Sequence, residues 1–188
     1  LKMGLVSYDT QSAIEELFYL AKAGTEYHST EFKLNTKNGG FQWYFSTFST
    51  IYDEEGNALR VVGLLRNIHA QKVEQQKLLI RAETDQMTGL YNKATTESKI
   101  QASLRELNGN SYEVLMLVDI DDFKKINDTF GHLKGDDVII DIAKTLQEYK
   151  GDYGIAGRLG GDEFCVFLTN VLDTQLACEK AVLIAERL

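Results

Sequence analysis

Five consecutive apolar residues, Val114-Leu115-Met116-Leu117-Val118, run directly into Asp119-Ile120-Asp121-Asp122. A strand apolar throughout is expected to be buried, and here it must stop abruptly where three carboxylates crowd its end. Burying charge there is costly unless a cation compensates it, and Asp oxygens with a backbone carbonyl suit Mg²⁺. An acidic loop that is merely solvated is the plain alternative. The next residues, Phe123-Lys124-Lys125-Ile126-Asn127, open a helix. The exposed N–H groups at its start make a natural phosphate site, with Lys124 beside it.

The surrounding pattern alternates. Helix is expected over 93–107, strand over Val114–Ile120, helix over about 123–130 and 136–149, strand over 154–158 and 163–169, and helix from 173. Helices interleaved with apolar strands predict an α/β sandwich whose sheet is covered by helices. Gly160-Gly161 lies between the last two strands. Two glycines tolerate the positive φ of a tight hairpin turn and leave room for a ligand to approach the backbone. Asp162 and Glu163 follow at the hairpin tip. Paired with Asp119, they could meet around one or two metal ions, an arrangement suited to phosphoryl or nucleotidyl transfer.

The N-terminal part reads differently, and 188 residues suffice for one ordinary domain or two small ones. Ser12 and Glu15 form a capping box, and Ile14, Leu17, Phe18 and Ala21 repeat at helical spacing up to Gly24. Three strand-like runs follow, Tyr27–Leu34, Phe41–Ile51 and Leu59–Ile68, separated by turn signals at Asn38-Gly39-Gly40 and Asp53–Asn57. This predicts an antiparallel meander. Phe41, Trp43 and Phe45 share one of its faces by period-two alternation, lining a packed core or a small-ligand cavity, with core favoured. The stretch Ala70–Thr84 is polar and free of Gly and Pro, with Val73 and Ile80 seven apart. It reads as a linker helix able to pair with a copy of itself, or simply as a solvated connector. The expected organisation is therefore 1–69, a linker over 70–84, and a second domain over 85–188.

Charge narrows the function. With 28 carboxylates against 20 Lys and Arg, a broad electrostatic footprint on nucleic acid or an anionic membrane is disfavoured. Cys165 and Cys178 fit no metal or disulfide spacing and read as reduced thiols of a cytoplasmic protein. No apolar run approaches the roughly 18 to 20 residues of a membrane-spanning helix. Neither end resembles a natural domain edge, so further parts are expected, and the whole protein could be membrane-anchored.

Residues from about 10 to 70, with the helix, three strands, the Lys37-Asn38-Gly39-Gly40-Phe41-Gln42-Trp43 turn segment and Val62-Gly63 leading to Asn67-Ile68, resemble the C-terminal half of a PAS sensory domain. No residue commits that part to haem or flavin; His28 and His69 read as ordinary turn or surface histidines. The second half resembles the GGDEF family of diguanylate cyclases more specifically. It carries Asp85-Gln86-Met87-Thr88-Gly89-Leu90-Tyr91-Asn92, then Asp119 through Asn127 and on to Phe130-Gly131-His132 and Gly135-Asp136, then Arg158-Leu159-Gly160-Gly161-Asp162-Glu163-Phe164. These three motifs stand in the family's order and spacing.

That resemblance implies a mixed α/β (α+β) fold, a palm-like sheet covered by helices behind a PAS-like antiparallel sheet. It implies a site for Mg²⁺ or Mn²⁺ made by Asp119, the carbonyl of Ile120 and Asp162. Glu163 is the other acidic group, contributing to the metal site or orienting Lys124. The turn Asp122-Phe123-Lys124 would hold phosphates beside Gly160 and Gly161, and Asn127 with Asp136 would read guanine, whose N1–H and N2–H₂ donors suit a carboxylate. The implied reaction joins two GTP into cyclic di-GMP across a homodimer. His132 is expected to be structural. Members with product inhibition carry Arg-x-x-Asp ahead of the Gly-Gly; Gly151 and Gly154 occupy those places here, so feedback there is expected to be absent. The family's domain continues past Leu188 with a further strand, helix and strand, so this chain alone is expected to bind GTP poorly or be inactive. A catalytically silent GGDEF domain and a cyclase for another nucleotide are the rival readings, and retention of Asp119, Asn127, Asp136, Asp162 and Glu163 disfavours the first.

Overall fold

The computed structural model describes residue 19 and residues 28–36, 40–106, 111–151, 154–171 and 174–187. The helix expected between Ser12 and Gly24 lies outside them, Tyr19 excepted. The chain divides into two compact units, Leu1–Leu78 and Leu79–Leu188.

In the first unit, β1 (His28–Asn35), β2 (Phe41–Tyr52) and β3 (Ala58–Asn67) form an antiparallel meander in the order β1-β2-β3. The β2–β3 turn is held by Asp53, whose Oδ1 accepts from the N–H groups of Glu55 at 3.0 Å and Asn57 at 2.8 Å. Register explains the aromatic face. Lys33 lies opposite Trp43 and Arg66 opposite Phe45, so Lys33 Nζ sits 4.8 Å from the Trp43 ring centre and Arg66 Cζ 5.6 Å from that of Phe45. The expected core face is instead half-buried: Phe41 is 45% exposed, and long cationic side chains lie over the rings of Trp43 and Phe45. Lys72 also approaches Trp43 and pairs with Glu31 at 2.5 Å.

Helix α1 (His69–Glu83) begins where Asn67 Oδ1 accepts from the His69 N–H at 2.9 Å. Neither Val73 nor Ile80 is buried. The division between the two units falls within this helix. Among the described residues no helix is long and apolar enough to cross a membrane.

The second unit contains α2 (Lys93–Arg105), β4 (Tyr112–Asp119), α3 (Phe123–Phe130), α4 (His132–Tyr149), β5 (Gly154–Gly160), β6 (Glu163–Val171) and α5 (Thr174–Arg187). Its sheet is antiparallel in the order β4-β6-β5. The central strand is buried continuously from Phe164 to Leu168. Phe164, Val166 and Leu168 join Ile139, Ile142, Ala143 and Leu146 of α4 and Ile184 of α5 in the main core. On the opposite side α2 packs against β5, with a close approach at Gly157. A Cβ at Gly157 would lie 2.1 Å from Thr96 Oγ1 and 2.8 Å from its Cγ2, and Thr96 is fully buried. Glycine is what lets helix and strand meet there.

Two details depart from the sequence reading. Strand β4 is not buried throughout: Val114, Met116 and Val118 pack against the core, whereas Leu115 and Leu117 are 51% and 70% exposed. β4 is an edge strand here, and α2 covers the other face of the sheet at β5. Helix α4 also starts at His132 and not at Asp136, because Gly131 at φ 85° reverses the chain directly from α3 into α4.

Candidate functional site

Strand register brings the acidic groups together. Asp119, the last residue of β4, lies directly opposite Glu163, the first of β6. Asp162 precedes Glu163 within the hairpin turn itself, after Gly161 at φ 52°, the positive value that tight hairpins favour. Like charges facing across an antiparallel pair repel, yet among the described residues none of these three side chains has a hydrogen-bond or ion-pair partner. In particular, no ion pair joins Glu163 to Lys124. Such uncompensated carboxylates fit a divalent cation. Ile120 follows at the strand end, its carbonyl accepting only a long bond from the Phe123 N–H at 3.3 Å and so retaining a free lone pair. Among the described residues no three His, Cys, Asp or Glu side chains form a metal cage; the donor set on offer is carboxylates plus that carbonyl.

The turn from Ile120 into α3 is tight. Asp122 adopts the left-handed conformation, φ 55° and ψ 26°, and its side chain does not cap the helix. Its carbonyl instead accepts from Lys125 and Ile126. At the start of α3 the Phe123 N–H donates to the Ile120 carbonyl and the Lys125 N–H to that of Asp122, so among the described residues it is the Lys124 N–H that is left to an outside acceptor. Phe123 packs against the core while Lys124 is exposed. Asn127 on α3 and Asp136 on α4 are both half-buried. A cavity of about 700 Å³ runs along Met116–Asp121, with Ile126, Val138, Ile142 and Ile184 in its wall. It is mostly apolar and does not include Asn127 or Asp136. His132 is the exposed first residue of α4.

One participant was not singled out from the sequence for what it does. The Arg158 guanidinium donates through Nε and Nη2 to the Gly161 carbonyl at 3.0 and 2.7 Å, and through Nη1 to Asp85 Oδ1 at 3.1 Å. It thereby ties the hairpin tip to the segment leading out of α1. The only sequence signal was co-occurrence of two charged residues in separate motifs. Burial alone would raise the Asp85 carboxyl, but the Thr88 hydroxyl and N–H and the Arg158 charge outweigh it and hold it below its ordinary value of 3.8. A carboxyl depressed in the folded state stabilises above its unfolded value, and that contribution disappears as pH falls through the folded one. Asp85→Asn is therefore expected to lower the thermal midpoint at neutral pH, with the gap from wild type closing below about pH 3.8. A gap that stays constant into acid would contradict this linkage.

The two thiols are free, Cys165 buried and Cys178 exposed. Burial pushes the Cys165 thiol up, against a hydrogen bond from the Gly157 backbone. At the places of the product-inhibition motif, Gly151 has φ 68° and a Cβ at Gly154 would lie 2.2 Å from the Lys150 carbonyl oxygen. This backbone is ill suited to the arginine and aspartate of such a site.

Residues 82–188 match the family model "Diguanylate cyclase, GGDEF domain", and residues 3–65 match the PAS fold. The diguanylate cyclase DgcN of Escherichia coli is 42% identical over 100 residues, covering 53% of this chain and 24% of that protein. The coiled coil and GGDEF domain of DgcB from Caulobacter crescentus, solved in complex with c-di-GMP, superposes with a TM-score of 0.57 at 25% identity, covering 62% of this chain and 61% of that one. A sensory box/GGDEF protein of the same organism gives 0.52 at 37% identity, covering 56% and 69%. With antiparallel mixed α/β architecture, an acidic hairpin set beside an acidic strand end, and a family match over more than half its length, the chain belongs to the GGDEF family of diguanylate cyclases. It spans under a quarter of the length of DgcN.

Proposed function

We propose that this protein is a signal-regulated diguanylate cyclase, which joins two GTP into cyclic di-GMP with release of two pyrophosphates. The observation that carries the reading is the register that sets Asp119 opposite Glu163, next in sequence to Asp162, with no ion pair to any of the three among the described residues. Asp119, Asp162 and the Ile120 carbonyl would hold Mg²⁺ or Mn²⁺, with Glu163 as the remaining acidic group. The metal supplies Lewis acidity toward the α-phosphate and a lowered pKa at the attacking hydroxyl.

The chain's own residues mostly position the substrate. Asp122, Phe123 and Lys124 bind phosphates at the start of α3, where the Lys124 N–H and its exposed ammonium group meet. Gly160 and Gly161 leave room for the nucleotide to approach the turn. Asn127 and Asp136 select guanine, because a carboxylate can accept from N1–H and N2–H₂ together while adenine lacks that pair. The 3′-hydroxyl of one GTP attacks the α-phosphate of the other, and the exchange is repeated in reverse. Each copy presents one such site, so two copies must face each other, and the reaction is that of a homodimer. The PAS-like unit and α1 are the means of controlling that encounter, in a cytoplasmic compartment where GTP is available.

The test is a nucleotide panel with the full-length protein and Mg²⁺. GTP is expected to yield cyclic di-GMP, with specific activity rising with protein concentration as dimers form; ATP is expected to yield no cyclic dinucleotide. Equal turnover of ATP would reassign the chain to a less selective nucleotidyl cyclase.

A further inference from the structure

Helix α4 carries a glycine in its second turn, where alanine would be the better helix former. Gly135 is buried, so solvent exposure does not explain it, and no positive φ requires it. Its surroundings do. A Cβ built at position 135 would lie 2.0 Å from Asn127 Oδ1, 3.0 Å from Asn127 Cγ and 3.2 Å from Phe123 Cζ. All three atoms belong to α3 side chains, and the first contact is far inside any tolerable approach. The helix backbone at 135 is thus the surface on which the Asn127 carboxamide rests. The clash would be relieved by rotating the Asn127 side chain away, a move that costs the fold little because Asn127 is only half-buried.

We propose that Gly135 is a positioning residue for nucleotide recognition, setting the Asn127 carboxamide on α3 against α4 next to Asp136 so that the two groups act as one base-reading pair. This rests on the assignment of Asn127 and Asp136 to the base in the proposed function. It adds that the pair is assembled sterically, through an absent side chain. Phe123, in the same contact, ties that arrangement to the first residue of α3, so the base-reading and phosphate-binding ends of the helix are set by one packing event.

The test is a double-mutant cycle in the full-length protein, reading KM and kcat for GTP together with the thermal midpoint. Gly135→Ala is expected to raise KM about tenfold, the scale of one lost hydrogen bond, with kcat changed less than KM and the thermal midpoint not lowered. Asn127→Ala is expected to raise KM similarly. Because alanine at 127 has neither Cγ nor Oδ1, adding Gly135→Ala to it should change KM no further. An unchanged KM in Gly135→Ala beside a raised KM in Asn127→Ala would overturn the positioning role alone, as would equal, multiplicative effects in the double variant. An unchanged KM in Asn127→Ala would remove the base-reading assignment itself, and the proposal with it. If Gly135→Ala alone lowers the thermal midpoint sharply and Asn127→Ala does not restore it, the glycine serves helix packing and the proposal is wrong.

Discussion

Asp162→Ala is expected to reduce cyclic di-GMP formation on the order of a thousandfold while leaving the fold at least as stable as before. In the proposed site, removing this carboxylate would take away a ligand of a metal that would supply several kcal/mol of transition-state stabilisation, and each 1.36 kcal/mol is tenfold in rate. The stability expectation runs the other way. Asp119 and Glu163 face each other next to Asp162 with no ion-pair partner among the described residues, so losing one charge relieves repulsion. Rate and thermal midpoint measured on one preparation check both halves. Mn²⁺ should raise the wild-type midpoint and leave that of the variant nearly unmoved. A variant that keeps wild-type turnover would exclude Asp162 from the site.

Phe164→Ala is expected to be the most damaging core change, costing about 3–5 kcal/mol. Phe164 is fully buried on the central strand, in a core with Val166, Leu146 and Ile142. A single domain of this size typically has only about 5–15 kcal/mol to lose. The effect should reach function as well, because Phe164 follows Glu163 directly and pairs in register with Val118, the neighbour of Asp119. Denaturant midpoints at constant slope would measure it. A loss under about 1 kcal/mol would mean that the core closes over the cavity and that β6 is not the rigid support described.

Much of this was legible in the residues, for identifiable reasons. The meander and the order of elements in the second unit follow from turn residues and apolar periodicity, which act locally. The positions of the acidic residues were visible because Asp119 closes an apolar run and Asp162 follows two glycines, so one had to end a strand and the other to lie at a hairpin turn. What the sequence could not supply was register and edge position. Leu115 and Leu117 read as core residues in an apolar run, but only the strand order makes β4 an edge and exposes them. Trp43 and Phe45 read as a core face, but only pairing reveals Lys33 and Arg66 opposite them. The bond from Arg158 to Asp85 spans 73 residues of chain, and no local pattern encodes it. The close approach of Gly135 to the Asn127 side chain is likewise invisible until two helices are brought side by side. The helix expected between Ser12 and Gly24 lies outside the described residues, Tyr19 excepted.

The most direct measurement is the product balance of the full-length protein incubated with GTP and Mg²⁺ in a verified dimeric state. The account predicts two pyrophosphates for each cyclic di-GMP formed, both lost when the metal is chelated. GTP bound by that dimer without any cyclic di-GMP would contradict it and make the second unit a nucleotide-sensing module.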